Sequence, residues 1–295
     1  MEKITLKCNK NILNLLKQYN IYTKTYIENP RRFSRLKTKD FITFPLENNQ
    51  LESVAGLGIE EYCAFKFSNI LHEMGSFSFS GSFLPHYTKV GRYCSISDGV
   101  SMFNFQHPMD RISTASFTYE TNHSFINDAC QNHINKTFPI VNHNPSSSIT
   151  HLIIQDDVWI GKDVLLKQGI TLGTGCVIGQ RAVVTKDVPP YAIVAGIPAK
   201  IIKYRFDEKT IERLLKIQWW KYHFADFYDI DLNLKINQYL DLLEEKIIKK
   251  SISYYNPNKL YFRDILELKS KKKFLIYFNL FFTPASSLFK TSNNF

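Results

Sequence analysis

The 295-residue chain contains no run of about 18 apolar residues, so nothing in it is long enough to cross a bilayer as a helix. The nearest candidate, Phe274 to Phe282 (FLIYFNLFF), is too short and sits just before Pro284. The five cysteines, Cys8, Cys63, Cys94, Cys130 and Cys176, include no CxxC pair, and an odd number makes a poor disulfide framework. Residues 1–20 alternate polar and apolar too finely for the apolar core of a secretory signal. A reduced, cytoplasmic protein is therefore the expectation. His123, His133, His143 and His151 are spaced by ten, ten and eight residues, which matches no helical metal pair, and no metal is expected. The basic residues are dispersed and fit no nucleic-acid-binding module.

What the chain does have is an ordinary globular composition, 44% hydrophobic and 22% charged, with a net charge of +10. That surplus suits an anionic partner, such as a phosphorylated cofactor, an acidic glycan or a membrane surface. Its most informative feature is a six-residue repeat from about Leu152 to Gly196. One row reads Ile154, Ile160, Leu166, Leu172, Ile178 and Val184. A second, two residues earlier, reads Leu152, Val158, Val164, Ile170, Cys176, Ala182, Val188 and Val194. A helix needs a period of 3.6 and a half-buried strand a period of 2. A period of six fits instead a solenoid whose triangular coils have three six-residue sides, with the aliphatic rows stacked inside. Gly161, Gly173 and Gly179 are read as corner residues tolerating positive φ.

Val90, Ile96 and Met102, with Cys94 and Val100, share the register, and residues 57–82 read as ragged first coils. Residues 103–151 break the repeat with a long polar stretch, the kind of insertion that is usually functional in a compact domain. Three parts follow: an amino-terminal segment, 1–50, with a helical pattern at Ile12, Leu13, Leu15 and Leu16 and a basic stretch from Arg31 to Lys39; a coil domain, 51–206; and a helical segment, 207–295. In the last, Asp207 reads as an N-cap before Thr210, Ile211, Leu214, Leu215 and Ile217, and 235–250 reads as a second helix. Both are expected to cap the open end of the coil.

The segments WIG at 159–161 and IGQRAVVTKDVPPYAIVAGIPAK at 178–200 resemble the signature of the hexapeptide-repeat acyltransferases. The resemblance is to the branch that holds the chloramphenicol and streptogramin acetyltransferases and many saccharide O-acetyltransferases, and it covers about residues 85–206. It implies a left-handed parallel β-helix with a long inserted loop and flanking helices. It also implies acetyl-CoA as donor and a homotrimer.

Carried over by position, Lys162 and the Gln180 backbone N–H face the pantetheine arm, and Ala182, Thr185 and Lys186 line the cofactor further along. Lys200 and Lys203 stand where the family usually has arginines near the nucleotide phosphates; they keep the charge and lose the fork. Arg205 is expected beside them. In MFNFQHPMDRIST, residues 102–114, Asn104, His107, Met109 and Asp110 match the family's pattern around its histidine base. Imidazole suits the role because its pKa lies near neutrality. Asp110 orients His107, binds the acceptor or caps a turn, and Trp159 should point outward to flank the acetyl group or stack on the acceptor.

Three functions compete. The first is acetylation of a bacterial surface saccharide, with sialic acid of a lipooligosaccharide or capsule as leading acceptor. The basic, aromatic tail within 268–289 would then dock on the cytoplasmic face of the inner membrane. That tail reads equally as a packed helix with a solvated lysine cluster. The second is xenobiotic acetylation with the same donor and base. The third is a non-enzymatic β-solenoid used as a binding module.

Overall fold

The computed structural model describes residues 2–23, 41–46, 56–103, 107–119, 123–137, 139 and 151–268. Most of them form one mainly β coil. Two-residue strands, each one side of a turn of the coil, pair in parallel with the same side of the next turn. Ile153–Ile154 pairs with Thr171–Leu172, Trp159–Ile160 with Val177–Ile178, and Leu165–Lys167 with Val183–Val184. Each pairing spans the 18 residues that three six-residue sides require. The sides thus build three sheets, of six, eight and three strands. The second residue of each short strand points inward: Ile154, Ile160, Leu166, Leu172, Ile178 and Val184 are all buried, as is the row from Leu152 to Val194. Both rows of the repeat form the interior.

The register crosses the insertion without a slip. Lys89–Val90 pairs with Ile153–Ile154, and Ser95–Ile96 with Trp159–Ile160. The inserted residues leave the coil after Phe103 and return before Leu152, so the sheets close as though they were absent. The insertion is not all loop, since it carries α2 (Ser124–Ile134), the helix after α1 (Lys10–Gln18).

The first coils are ragged because their turns are shorter: Phe65 stacks on Ser80, and Ser80 on Ile96. Buried serines replace aliphatic residues here and bond the coils together. Ser78 Oγ donates to Gly91 O at 2.7 Å and accepts from Cys94 N at 2.9 Å; Ser82 Oγ donates to Ser97 O at 2.6 Å and accepts from Val100 N at 2.8 Å. The Ser78 and Ser82 hydroxyls are thereby both satisfied.

The glycines act differently from the sequence expectation. Gly161, Gly173 and Gly179 are not at positive φ; they allow adjacent turns to approach. A Cβ on Gly161 would lie 2.6 Å from Gln180 N, and one on Gly173 would lie 2.6 Å from Pro190 N. Positive φ falls at other corners, including two stacked columns. One holds Gly99, Asp163 and Arg181; the other holds Tyr62, Phe77, Tyr93, Asp157, Gly175 and Tyr191. Aromatic residues in this conformation cost energy, and here they are held by one another. Tyr62 stacks on Phe77 at 5.8 Å and Phe77 on Tyr93 at 5.0 Å, while Tyr93 Oη donates to Tyr222 O at 2.6 Å.

This aromatic corner receives the helical segment. Asp207 caps α3 (Glu208–Ile217), its side chain accepting from Thr210 N at 2.9 Å. α4 is Ile236–Ile248. Leu214 and Leu240 form a core with Tyr191 that is separate from the coil interior. The two helices therefore flank the coil, and the expectation that they close its end is corrected. Residues that join the interior from outside the repeat include Leu6, Cys8, Ile12, Leu16, Ile21, Ile42 and Phe44 from the amino-terminal segment and Leu260, Phe262 and Ile265 from the segment after the coil. Phe44 stacks on Phe262 at 5.4 Å, so segments from both flanks cover the first coils together. No helix among the described residues is long and apolar enough to cross a membrane. The tail from 269 onward and the basic stretch at 31–39 lie outside the described residues.

Candidate functional site

The three-stranded sheet (Ser101–Phe103, Leu165–Lys167, Val183–Val184) is flanked by the residues in question. At one edge, equivalent positions of successive turns stack Lys162 under Gln180; Arg181 N donates to Lys162 O at 2.8 Å. The chain then closes in an antiparallel hairpin, Ala192–Gly196 with Ala199–Tyr204, in which Lys200 pairs with Ala195. Gly179 lies so close to Ala195 that a Cβ on it would be 2.9 Å from that residue's Cβ. Lys162, Gln180 and Lys200 thus share one corner, all three exposed. Lys162 Nζ is 3.1 Å from Asp98 Oδ2, and this bond holds the Asp98 carboxyl below its ordinary range. At the other edge Thr185 and Lys186 follow the last strand, on the side from which the insertion leaves after Phe103.

Trp159 points outward, 56% exposed, from the eight-stranded sheet. It shares one row with Val177, Ile193 and Lys203. Three strand spacings put it about 14 Å from Lys203 along the sheet.

Two residues part from their expected places. Ala182 belongs to the buried interior row, its N–H donating to Gly179 O and its carbonyl accepting from Leu165 N, so its side chain cannot line a cofactor. Arg205 does not stand with Lys200 and Lys203. It turns back at the opposite corner, where Nη1 donates to Asp157 Oδ2 and to Gly175 O, both at 2.8 Å. A guanidinium already paired with a half-buried carboxylate is not free for phosphate.

His107 lies exposed in the insertion. Its Nδ1 is 2.6 Å from Thr114 O. A carbonyl only accepts, so in the neutral ring Nδ1 carries the proton and Nε2 keeps its lone pair. The Tyr119 hydroxyl lies 3.3 Å from Nδ1 and 3.5 Å from Nε2, with the rings edge to face at 5.0 Å. Arg111 donates to Thr118 O and braces the same short turn. Asp110 is exposed and Met109 is 87% exposed beside it. Asn104 lies outside the described residues.

Sequence reasoning missed Thr114, Tyr119 and Asp98. Thr114 acts through its backbone carbonyl, which leaves no residue-type signal. Tyr119 lies twelve residues from His107 and meets it only because the turn folds back. Asp98 could have been found, because it opens the corner below Lys162 in the same register.

The arrangement offers an imidazole oriented by the Thr114 carbonyl on an exposed loop, a corner of lysines suited to anionic groups, and a backbone amide at Gln180 close to a residue with no Cβ. These are fitting partners for a long phosphorylated thioester and for proton transfer at a hydroxyl.

Comparison with known proteins adds a second line. The chain is 39% identical over 134 residues to a chloramphenicol acetyltransferase of Agrobacterium fabrum, a match covering 44% of this chain and 58% of that protein. It is 35% identical over 164 residues to a probable macrolide acetyltransferase of Lysinibacillus sphaericus, covering 55% of this chain and 83% of the relative. The chain thus spans somewhat over half the length of the chloramphenicol acetyltransferase and most of the macrolide one. Among solved structures, the polySia-specific acetyltransferase NeuO aligns at 25% identity with a TM-score of 0.32, over 51% of this chain and 59% of that chain. No family model matches the chain.

Proposed function

Because the chain belongs to the hexapeptide-repeat acetyltransferases, in the branch of the chloramphenicol acetyltransferases, we propose that it transfers an acetyl group from acetyl-CoA to a hydroxyl of a bacterial surface saccharide. The carrying observation is the 2.6 Å contact between His107 Nδ1 and Thr114 O, which leaves Nε2 as the nitrogen free to accept a proton. Acetyl-CoA supplies an activated acyl group. His107 Nε2 takes the proton of the acceptor hydroxyl as its oxygen bonds to the acyl carbon, and the imidazolium returns that proton to the departing thiolate. Thr114 O holds the ring in the productive orientation throughout. Acid, base and acceptor balance with no covalent enzyme intermediate.

Lys162 and the Gln180 amide would hold the pantetheine arm, with Thr185 and Lys186 beyond, and Lys200 and Lys203 would meet the phosphates. Trp159 would flank the acetyl group, with Asp110 and Asn104 toward the acceptor. The coil would be left-handed and the active form a trimer. The segments 1–50, 51–206 and 207–295 would act as cap, catalytic coil and flanking unit. The acidic acceptor, sialic acid first, rests on the net charge of +10, and the tail within 268–289 would keep the protein on the cytoplasmic face of the inner membrane, where lipid-linked glycans are assembled.

The xenobiotic reading has its own support in the names of the chloramphenicol and macrolide relatives. Purified protein with acetyl-CoA and a panel of sialylated oligosaccharide, neutral oligosaccharide, chloramphenicol and streptogramin separates the two. Transfer to the sialylated acceptor is expected. Turnover of the drugs with none on the sugars replaces the first reading by the second.

A further inference from the structure

One hydrogen bond does not fix an imidazole. The second torsion of a histidine is broad and roughly two-fold, so a ring held only at Nδ1 can swing about the Thr114 contact and carry Nε2 with it. Misplacing a catalytic atom by about 1 Å can cost about a hundredfold in rate, so a base on an exposed loop needs a second restraint. Asp110 does not provide it. Its side chain is exposed and makes no bond to His107 among the described residues.

Tyr119 does. Its hydroxyl oxygen meets the ring at both nitrogens, 3.3 Å from Nδ1 and 3.5 Å from Nε2, and the two rings stand edge to face, centroids 5.0 Å apart at 64°. Both distances exceed an ordinary hydrogen bond. The near-equal reach to the two nitrogens sets the oxygen against the edge between them. The phenol therefore works as a wall beside the imidazole.

The wall is itself anchored. Tyr119 closes a short 3-10 helical turn, Ser116–Thr118, and its N–H donates to Ser116 O at 3.0 Å. Thr118 is buried beneath it. The Thr118 N–H donates to Ala115 O at 3.0 Å, and its hydroxyl donates across Ala115 O at 2.8 Å and Ser113 O at 3.0 Å. Arg111 donates to Thr118 O from outside the turn. One short stretch, Ser113 to Tyr119, thus carries both the carbonyl that bonds the ring and the phenol that blocks its swing.

We propose that Tyr119 is a positioning residue for the reaction: it holds the plane of the His107 ring, so that Nε2 keeps facing the acceptor hydroxyl. It acts through His107. Its effect on rate rests on the acetyl-transfer reading, while the restraint on the ring belongs to the turn alone.

The test is a double-mutant cycle on the full chain, with acetyl-CoA and sialylated oligosaccharide or chloramphenicol, whichever is turned over, beside long-range proton–nitrogen NMR of the histidine rings. Tyr119→Ala should lower kcat about 10–100-fold with acetyl-CoA affinity unchanged. Tyr119→Phe, which keeps the aromatic wall, should stay within a few-fold of the native protein. In a His107→Ala background Tyr119→Ala should cost nothing further. With the His107 signals identified by their loss in His107→Ala, the native protein and Tyr119→Phe should show one neutral ring form, protonated at Nδ1, and Tyr119→Ala a mixture of the two forms. Native kcat in Tyr119→Ala overturns the proposal, as does an equal loss in both backgrounds. So does a Tyr119→Phe protein as impaired as Tyr119→Ala, because the hydroxyl would then have chemistry of its own. If His107→Ala keeps native turnover, the acetyl-transfer reading fails instead and the ring forms decide: a mixture in Tyr119→Ala supports the restraint, and a single Nδ1-protonated form overturns it.

Discussion

Lowering the pH should unfold this coil partly through one histidine. His72 is fully buried, its ring edge-on to Phe65 at 5.0 Å, its Nδ1 3.1 Å from Glu73 O and its Nε2 without a partner among the described residues. Burial disfavours the charged ring, and the Glu73 carbonyl only partly offsets it, so the pKa falls to about 4 from its ordinary 6.5. Between those values the unfolded chain binds a proton that the folded chain does not. Stability from this group is therefore complete above pH 6.5 and is lost as pH falls toward 4. At about 1.4 kcal/mol per pH unit, with the rounding of each titration included, the loss between pH 7.5 and 4.5 is about 2.5 kcal/mol. The assay is urea denaturation at a series of pH values for the native protein and for His72→Phe, which keeps an aromatic ring against Phe65. Carboxylates titrate alike in both proteins, so the difference between the two curves isolates His72. Parallel curves over this range would refute the reasoning.

Other consequences follow from the coil geometry. Gly161→Ala puts a Cβ 2.6 Å from Gln180 N and 2.9 Å from Ile178 O, contacts that force the turns apart. It should cost about 1–3 kcal/mol in chemical denaturation and weaken acetyl-CoA binding in calorimetry. Gly56→Ala, where nothing lies within 4 Å, should leave both unchanged. Leu166 is fully buried in the inward row while Leu165 beside it is only half-buried. Leu166→Ala should therefore cost about 2–5 kcal/mol, and Leu165→Ala clearly less, by the same denaturation measurement.

Much of the coil could be read in the sequence because its period is a property of single residues. Each interior position needs a side chain of limited size, and Ile154, Leu172 and Ile178 repeat that demand every six residues. The sequence also located the Asp207 cap, which works through three adjacent residues. What escaped it depends on contacts between turns or on backbone atoms. The close approach at Gly161 looks the same in sequence as a positive φ at Gly175. Arg205 reads as one more basic residue at the end of the coil, and only the fold brings Asp157, 48 residues earlier, within 2.8 Å of it. Ala182 resembled a lining residue by family position, yet its place in the inward row was already written in the six-residue register. Around His107, the ring itself was legible, while the Thr114 carbonyl that sets its tautomer carries no residue signature.

The central claim is that His107 Nε2, freed by the Thr114 bond to Nδ1, removes the acceptor proton. It is tested most directly by acetyl transfer and acetyl-CoA binding measured side by side on the native protein and on His107→Ala, with the acceptor that the panel identifies. The account predicts that turnover falls by about 10²–10⁴ while acetyl-CoA affinity stays as it was. Turnover within a few-fold of the native protein would contradict it.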